Sequence, residues 1–150
     1  MRRAALEASF RATTYRVTVP EGFFCLRIGV AHPAFDSFLL HRAPPTLPLG
    51  GQQREYTAGV CWGIVTAYNP GLLRSEDDNR LAQARLYERI AASGWPFLAA
   101  CNLADGGSWP EEPSYLLLAD TAEVASLGRE FGQVAVVCGR TREAPQLIWL

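Results

Sequence analysis

The chain alternates between short runs with the period of a strand and longer segments with the period of a helix. The most apolar segment, 56–68, predicts a central strand. Other apolar or alternating runs predict further strands in TYRVTV and over 23–30, 96–104, 114–120, 133–139 and 146–150. Helical spacing and capping residues predict helices over 32–42, 75–94 and 121–132.

The segment 75–94 has the clearest helical pattern. Ser75 is a good N-cap, the acidic residues after it suit the positive end of the helix dipole, and Gly94 is a typical terminator. Asp78 follows Ser75 by three residues, as the acidic member of a capping box does. The spacing predicts an inward stripe formed by Asn79, Ala82, Leu86 and Ile90.

These elements indicate one α+β (mixed α/β) domain over residues 1–150. Their irregular order favours a single mixed sheet of about five or six strands with two or three packed helices. Residues 1–14 are expected to form either a short helix or a flexible arm. The segment 43–55 is rich in proline and glycine, and it is either a surface lid or a plain connector.

Composition narrows the chemistry without identifying it. The formal net charge is −1, so no strong field favours nucleic acid or an anionic membrane. All fourteen basic residues are arginine, which excludes a lysine Schiff base and a P-loop lysine. No run approaches the roughly 20 apolar residues of a membrane span, and the N-terminus lacks a signal peptide's apolar region. We therefore expect a soluble cytoplasmic protein that binds neither nucleic acid nor membrane.

Cysteine and histidine usage gives no sign of a metal centre. Four cysteines, Cys25, Cys61, Cys101 and Cys138, lie inside apolar stretches, and no pair has CxxC spacing. We expect buried structural thiols in a reducing compartment. The two histidines lack metal-ligand spacing to any carboxylate, so the sequence predicts no metal and no cofactor.

Polar residues collect where the central strand ends. Thr66 and Asn69 follow the apolar run, and Asn79 lies one turn into the next helix on its inner face. Two interpretations are open. The side chains either brace the turn by binding backbone groups or line a ligand pocket at the end of the strand.

Two further segments carry candidate chemistry. In SWPEEPS, prolines fix the chain around Trp109, Glu111 and Glu112, which suits a general acid and base or a cation site. The structural alternative is that Trp109 packs over the core edge while a carboxylate pairs with an arginine or caps a turn. Gln133, at the start of a strand, is placed to bond either a neighbouring loop or a ligand.

The ordered series TAYNP, SEDDN, WPEEPS and FGQVAVV resembles a bacterial domain-of-unknown-function family, catalogued as three-two-nine-three. The resemblance covers roughly residues 15–150, with Tyr68 where the family usually carries Trp. It implies a small cytoplasmic bacterial domain without an established reaction or cofactor. The positions that it marks are Thr66, Asn69, Pro70, Asn79, Trp109, Glu111, Ser114, Phe131 and Gln133.

Three functions follow as hypotheses. The first is the binding of a small polar ligand in a pocket formed by the TAYNP, WPEEPS and FGQ segments. The second is an enzyme that uses Glu111 or Glu112 as a general acid or base. The third is a protein-interaction module or homodimer, in which the C-terminal strand QLIWL offers an unpaired edge.

Overall fold

The computed structural model describes residues 3–41, 59–70, 72–107 and 109–150. The helices are α1 (Arg3–Arg11), α2 (Pro33–His41), α3 (Glu76–Ser93) and α4 (Thr121–Glu130). The strands are β1 (Thr13–Val19), β2 (Gly22–Leu26), β3 (Cys61–Val65), β4 (Phe97–Ala104), β5 (Glu112–Leu117), β6 (Ala135–Arg140) and β7 (Gln146–Trp149). The loop predicted over 43–55 lies outside the described residues. The described part of the segment 1–14 forms α1 and the start of β1.

The helix ends predicted from local sequence are confirmed. The Ser75 side chain accepts a hydrogen bond from the Asp78 backbone N–H, and Gly94 ends α3 with a left-handed φ of 75°. Asp120 caps the start of α4 and forms a reciprocal capping box with Glu123. None of the described helices is long and apolar enough to cross a membrane.

The described strands form one curled sheet in the order β2-β1-β4-β5-β3-β6-β7, and every neighbouring pair is antiparallel. The sequence predicted about five or six strands, two or three helices and a mixed sheet. The described residues instead contain seven strands and four helices, without a parallel hydrogen-bonded pair.

The antiparallel sheet arises from strand insertion. β3 and β4, which α3 connects, run parallel but have β5 between them. β5 and β6, which α4 connects, have β3 between them. This is the arrangement of a split βαβ unit. A strand–helix–strand pattern is typical of parallel neighbours, so the sequence pattern alone did not reveal the inserted strands.

Helices cover both faces of the sheet, because apolar residues alternate along the central strands. On one face, Trp62 and Ile64 of β3 pack in a core with Phe35, Phe38 and Leu39 of α2. On the other face, Val65 packs in a second core, and the helical residues there are Leu86 and Ile90 of α3 and Val124 and Leu127 of α4. β3 and β5 therefore lie in a buried middle layer.

The curl of the sheet brings the segments beside its two edge strands together. The Gly29 backbone N–H, after β2, donates to the Pro145 carbonyl, before β7, at 2.8 Å. The Trp149 ring of β7 meets Phe10 of α1 edge-on at 6.1 Å and lies under the Arg3 guanidinium at 4.7 Å. Because this half-buried indole packs against α1, the homodimer hypothesis has to depend on the backbone edge of β7.

The expectation of four buried thiols is wrong for three of them. Cys138 is buried, Cys61 and Cys101 are half-buried, and Cys25 is exposed. Cys25 and Cys101 both lie opposite Arg16 across the sheet, on the face that carries Phe97. They stand at the end of that face where no described helix buries them, which an apolar sequence context does not reveal.

Candidate functional site

The chain leaves β3 through a hydrogen-bonded turn. Thr66 is buried, and its Oγ1 donates to the Pro113 carbonyl at 2.7 Å while accepting from the Tyr68 backbone N–H at 3.1 Å. The hydroxyl therefore links the end of β3 to the neighbouring β5. This use of a threonine satisfies backbone groups that the end of the strand would leave unpaired.

Asn69 lies at the centre of the turn. Its backbone has a φ of 45°, in the left-handed region that asparagine tolerates better than most residues. Its backbone N–H donates to Asn79 Oδ1 at 2.9 Å, and Asn79 Nδ2 donates back to Asn69 Oδ1 at 2.8 Å. The Arg74 backbone N–H donates to the same Asn69 oxygen at 2.9 Å. The two carboxamides thus join the turn to the first turn of α3.

Glu112 connects this turn to the WPEEPS segment. Asn69 Nδ2 donates to Glu112 Oε1 at 2.8 Å, and Trp109 Nε1 donates to the same oxygen at 2.9 Å. Glu112 is half-buried, while Trp109 is 52% exposed. No described donor reaches the second oxygen, Oε2. The carboxylate is therefore fixed in orientation with one oxygen open to a further hydrogen bond.

Gln83 completes this group, which we call the Asn69 cluster: Thr66, Asn69, Asn79, Gln83 and Glu112. The side chain of Gln83 is buried; its Oε1 accepts from the Ala67 backbone N–H at 2.9 Å and its Nε2 donates to the Pro113 carbonyl at 3.0 Å. Sequence reasoning missed this residue. The available signal was its position one helical turn after Asn79, on the same inward stripe of α3.

The FGQ segment also reaches the turn. Gln133 Nε2 donates to the Tyr68 carbonyl at 3.2 Å. Gly132 packs against Pro70, since a Cβ added at Gly132 would lie 3.2 Å from Pro70 Cβ. The structure thus brings the TAYNP, WPEEPS and FGQ segments together around the start of α3.

Two of the predicted site residues lie elsewhere. The Ser114 side chain is buried and donates to Asn102 Oδ1 of β4 at 2.7 Å. Glu111 is exposed, and its carboxylate lies 3.8 Å from the Cys101 sulfur. Adjacent residues of an extended chain point in opposite directions, which separates Glu111 from Glu112. Of the two candidate acid–base residues, the structure brings Glu112 alone to Asn69.

The charge of Glu112 acts on two nearby phenols. Burial raises the pKa of Tyr15 above its ordinary value, and the Glu112 carboxylate raises it further because a phenolate would add a second negative charge. Burial and a hydrogen bond to Glu76 raise the pKa of Tyr68, and Glu112 again adds to the rise. Both side chains are therefore neutral hydrogen-bond donors at physiological pH.

In the described part of the chain, no three histidine, cysteine, aspartate or glutamate side chains gather closely enough to hold a metal ion. The amides of Asn69, Asn79, Gln83 and Gln133 bond one another, the backbone or Glu112. They therefore match the bracing interpretation. Within the described residues, Glu112 Oε2 has no hydrogen-bond donor, and the Trp109 ring is about half exposed.

An open groove of about 420 Å³ lies beside the turn, between α3 and β5. Tyr68, Tyr87 and Tyr115 form its aromatic wall, and Arg80 and Gln83 supply polar groups. A second groove, of about 620 Å³, lies between α3 and the end of α4. Both grooves border the helix that carries Asn79.

Comparison with protein families gives one match. The family model described as Protein of unknown function (DUF3293) matches residues 65–136. This confirms the resemblance found in the sequence, over a shorter range than the 15–150 expected. The match begins at the last residue of β3 and ends within β6, so it contains the whole Asn69 cluster. Comparisons with curated proteins and with solved structures gave no match.

Proposed function

We propose that the matched segment binds a small polar ligand through Glu112 and Trp109, and that the ligand presents an amine or a comparable hydrogen-bond donor. The observation that carries this proposal is the fixed Glu112 carboxylate. Two side-chain donors hold one oxygen, while no described donor reaches the other. An anionic acceptor selects a donor, and a positively charged donor gives the stronger bond.

Trp109 supplies the second contact. Its Nε1 is bonded to Glu112, which orients the ring, and about half of its surface is exposed. An indole face attracts a cation that lies over it, so a ligand that reaches from the carboxylate to the ring gains a second favourable contact. The ring and the carboxylate therefore select the same class of ligand, and neither needs a large rearrangement to receive it.

The remaining members of the Asn69 cluster have a positioning role in this proposal. Asn69 donates to Glu112 and is itself held by Asn79. The acid–base hypothesis draws on the same carboxylate, and Glu112 is its candidate because Glu111 stands apart from the cluster.

The test is a titration followed by the indole N–H signals in a ¹H–¹⁵N NMR spectrum. The probes are methylammonium and methylguanidinium, with acetamide and acetate as neutral and anionic comparisons. We expect the cations to shift the Trp109 signal, and Glu112→Gln to weaken their binding about tenfold or more, because the variant keeps the acceptor oxygen but loses the charge.

Glu111→Gln is the matched control, since it removes an equal charge from the adjacent residue without touching Trp109. Equal weakening by the two variants would attribute the effect to general charge and contradict the proposal. A failure of both cations to shift the Trp109 signal of the unmodified protein would also contradict it.

A further inference from the structure

The groove between α3 and the end of α4 is rich in arginine. Arg74, Arg85 and Arg89 line it, together with Glu88, Glu130 and the ring of Phe131. Three guanidinium groups against two carboxylates leave the groove with a net positive charge. None of these residues belongs to the Asn69 cluster or contacts Glu112 in the described structure.

Arg74 is the most constrained of the three arginines. It is half-buried, and its Nη2 donates to the Ala67 carbonyl at 3.0 Å. Its Nε is buried and has no hydrogen-bond partner. Arg74 forms no ion pair with any described carboxylate. Because Nε is buried, a bound anion would reach Arg74 through its terminal Nη groups, and it would balance a charge that no described carboxylate balances.

The other two arginines differ in their partners. Arg89 bonds both Glu130 oxygens through Nε, at 3.3 and 3.2 Å, and Ser93 Oγ through Nη1 at 2.6 Å. Its charge is therefore already matched. Arg85 lies one turn earlier on α3, is exposed, and forms no ion pair within the described part of the chain. Arg74 and Arg85 are thus the two cations of this groove that lack a carboxylate partner.

We propose that this groove binds a small molecule with an oxyanion group, a phosphate or a carboxylate, held between Arg74 and Arg85. The planar guanidinium presents paired N–H donors that match the oxygens of either group. The half-buried ring of Phe131 provides an apolar wall for the remainder of the molecule. Glu130 already pairs with Arg89, which leaves Arg74 and Arg85 as the partners of the anion.

The experiment is isothermal titration calorimetry of the full chain at low ionic strength, with inorganic pyrophosphate as one probe and succinate as the other. The two probes distinguish a phosphate site from a carboxylate site. We expect at least one of them to bind, and Arg85→Gln to weaken that binding about tenfold. Arg74→Gln should weaken it at least as much, because this guanidinium is the less exposed of the two.

Arg80→Gln is the matched control, since Arg80 is also an exposed arginine of α3 but lines the other groove. It should leave the affinity within about twofold of the unmodified protein. If Arg74→Gln does not fold, the affinity of Arg85→Gln alone tests the proposed anion site. The proposal is overturned if neither probe binds, or if Arg80→Gln weakens binding as much as Arg85→Gln.

Discussion

At the scale of single residues, Asn69 combines two roles that are usually separate. Its backbone takes a left-handed φ of 45°, and its side chain bonds Asn79, Glu112 and the Arg74 backbone. Asparagine suits this position because it tolerates the conformation and has both a donor and an acceptor. The position of Glu112, and with it the proposed ligand site, depends on this residue.

The two roles of Asn69 can be separated by a pair of substitutions. Asn69→Gly removes the side-chain bonds but keeps the backbone unstrained, whereas Asn69→Ala removes the bonds and adds left-handed strain of about 1–2 kcal/mol. Alanine regains about 0.4–1 kcal/mol through a less flexible unfolded chain. We therefore expect both variants to be less stable in urea denaturation, with Asn69→Ala lower by roughly 0.5–1 kcal/mol. A more stable alanine variant would show that strain at this position is unimportant.

At the scale of elements, the contact between β3 and α4 depends on a missing side chain. Gly63 faces α4, and a Cβ added there would overlap the side chain of Val124. The glycine lets the helix approach the centre of the sheet closely, and Val124 packs there in the second core. Gly128 of α4 contributes as well, since a Cβ added there would overlap the side chains of Val136 and Leu150.

We expect Gly63→Ala to destabilise the protein by about 1–3 kcal/mol, because a close-packed core has no room for the added methyl group. Gly106→Ala is the matched control, since no atom lies within 4 Å of its added Cβ. Val124→Ala in the Gly63→Ala background should recover part of the lost stability in thermal or urea unfolding. Additive losses in the double variant would contradict the overlap as the cause.

At the scale of the whole molecule, the Asp105 carboxylate connects residues in or next to three strands of the curled sheet. Asp105 follows β4, and it accepts hydrogen bonds from Thr14 of β1 and from Arg27, which follows β2. These bonds, with that to Arg27 first, lower the pKa of the Asp105 carboxyl from 3.8 to about 2. The ionised carboxylate therefore favours the folded state.

The lowered pKa of Asp105 determines how its contribution to the stability of the protein changes at acidic pH. The contribution of Asp105 is complete above pH 3.8 and is lost as the pH falls through about 2. We expect Asp105→Asn to be less stable than the unmodified protein at pH 5, with the difference narrowing towards pH 2 and at high salt. Urea denaturation of both proteins between pH 5 and pH 2 measures this difference in stability. A stability difference that does not change with pH would contradict the assignment.

Local sequence was sufficient to predict α2, α3 and α4, whereas it left residues 1–14 open between a helix and an arm. Three capping residues act on backbone groups only a few positions away: Ser75, Gly94 and Asp120. Because both partners are close in sequence, the local sequence is enough to predict these caps. Local sequence was also enough to predict the apolar strand β3 and the polar turn at Asn69 that follows it. The family resemblance also grouped the three segments that the structure brings together.

Tertiary structure decided which of these elements meet. Asn69 and Glu112 are 43 positions apart, and their contact exists because β5 was inserted beside β3. The exposure of Cys25 likewise depends on which part of the sheet the helices cover. Periodicity determines which face of an element is apolar, but it carries no information about the partner that will cover that face, because hydrophobic burial is not directional.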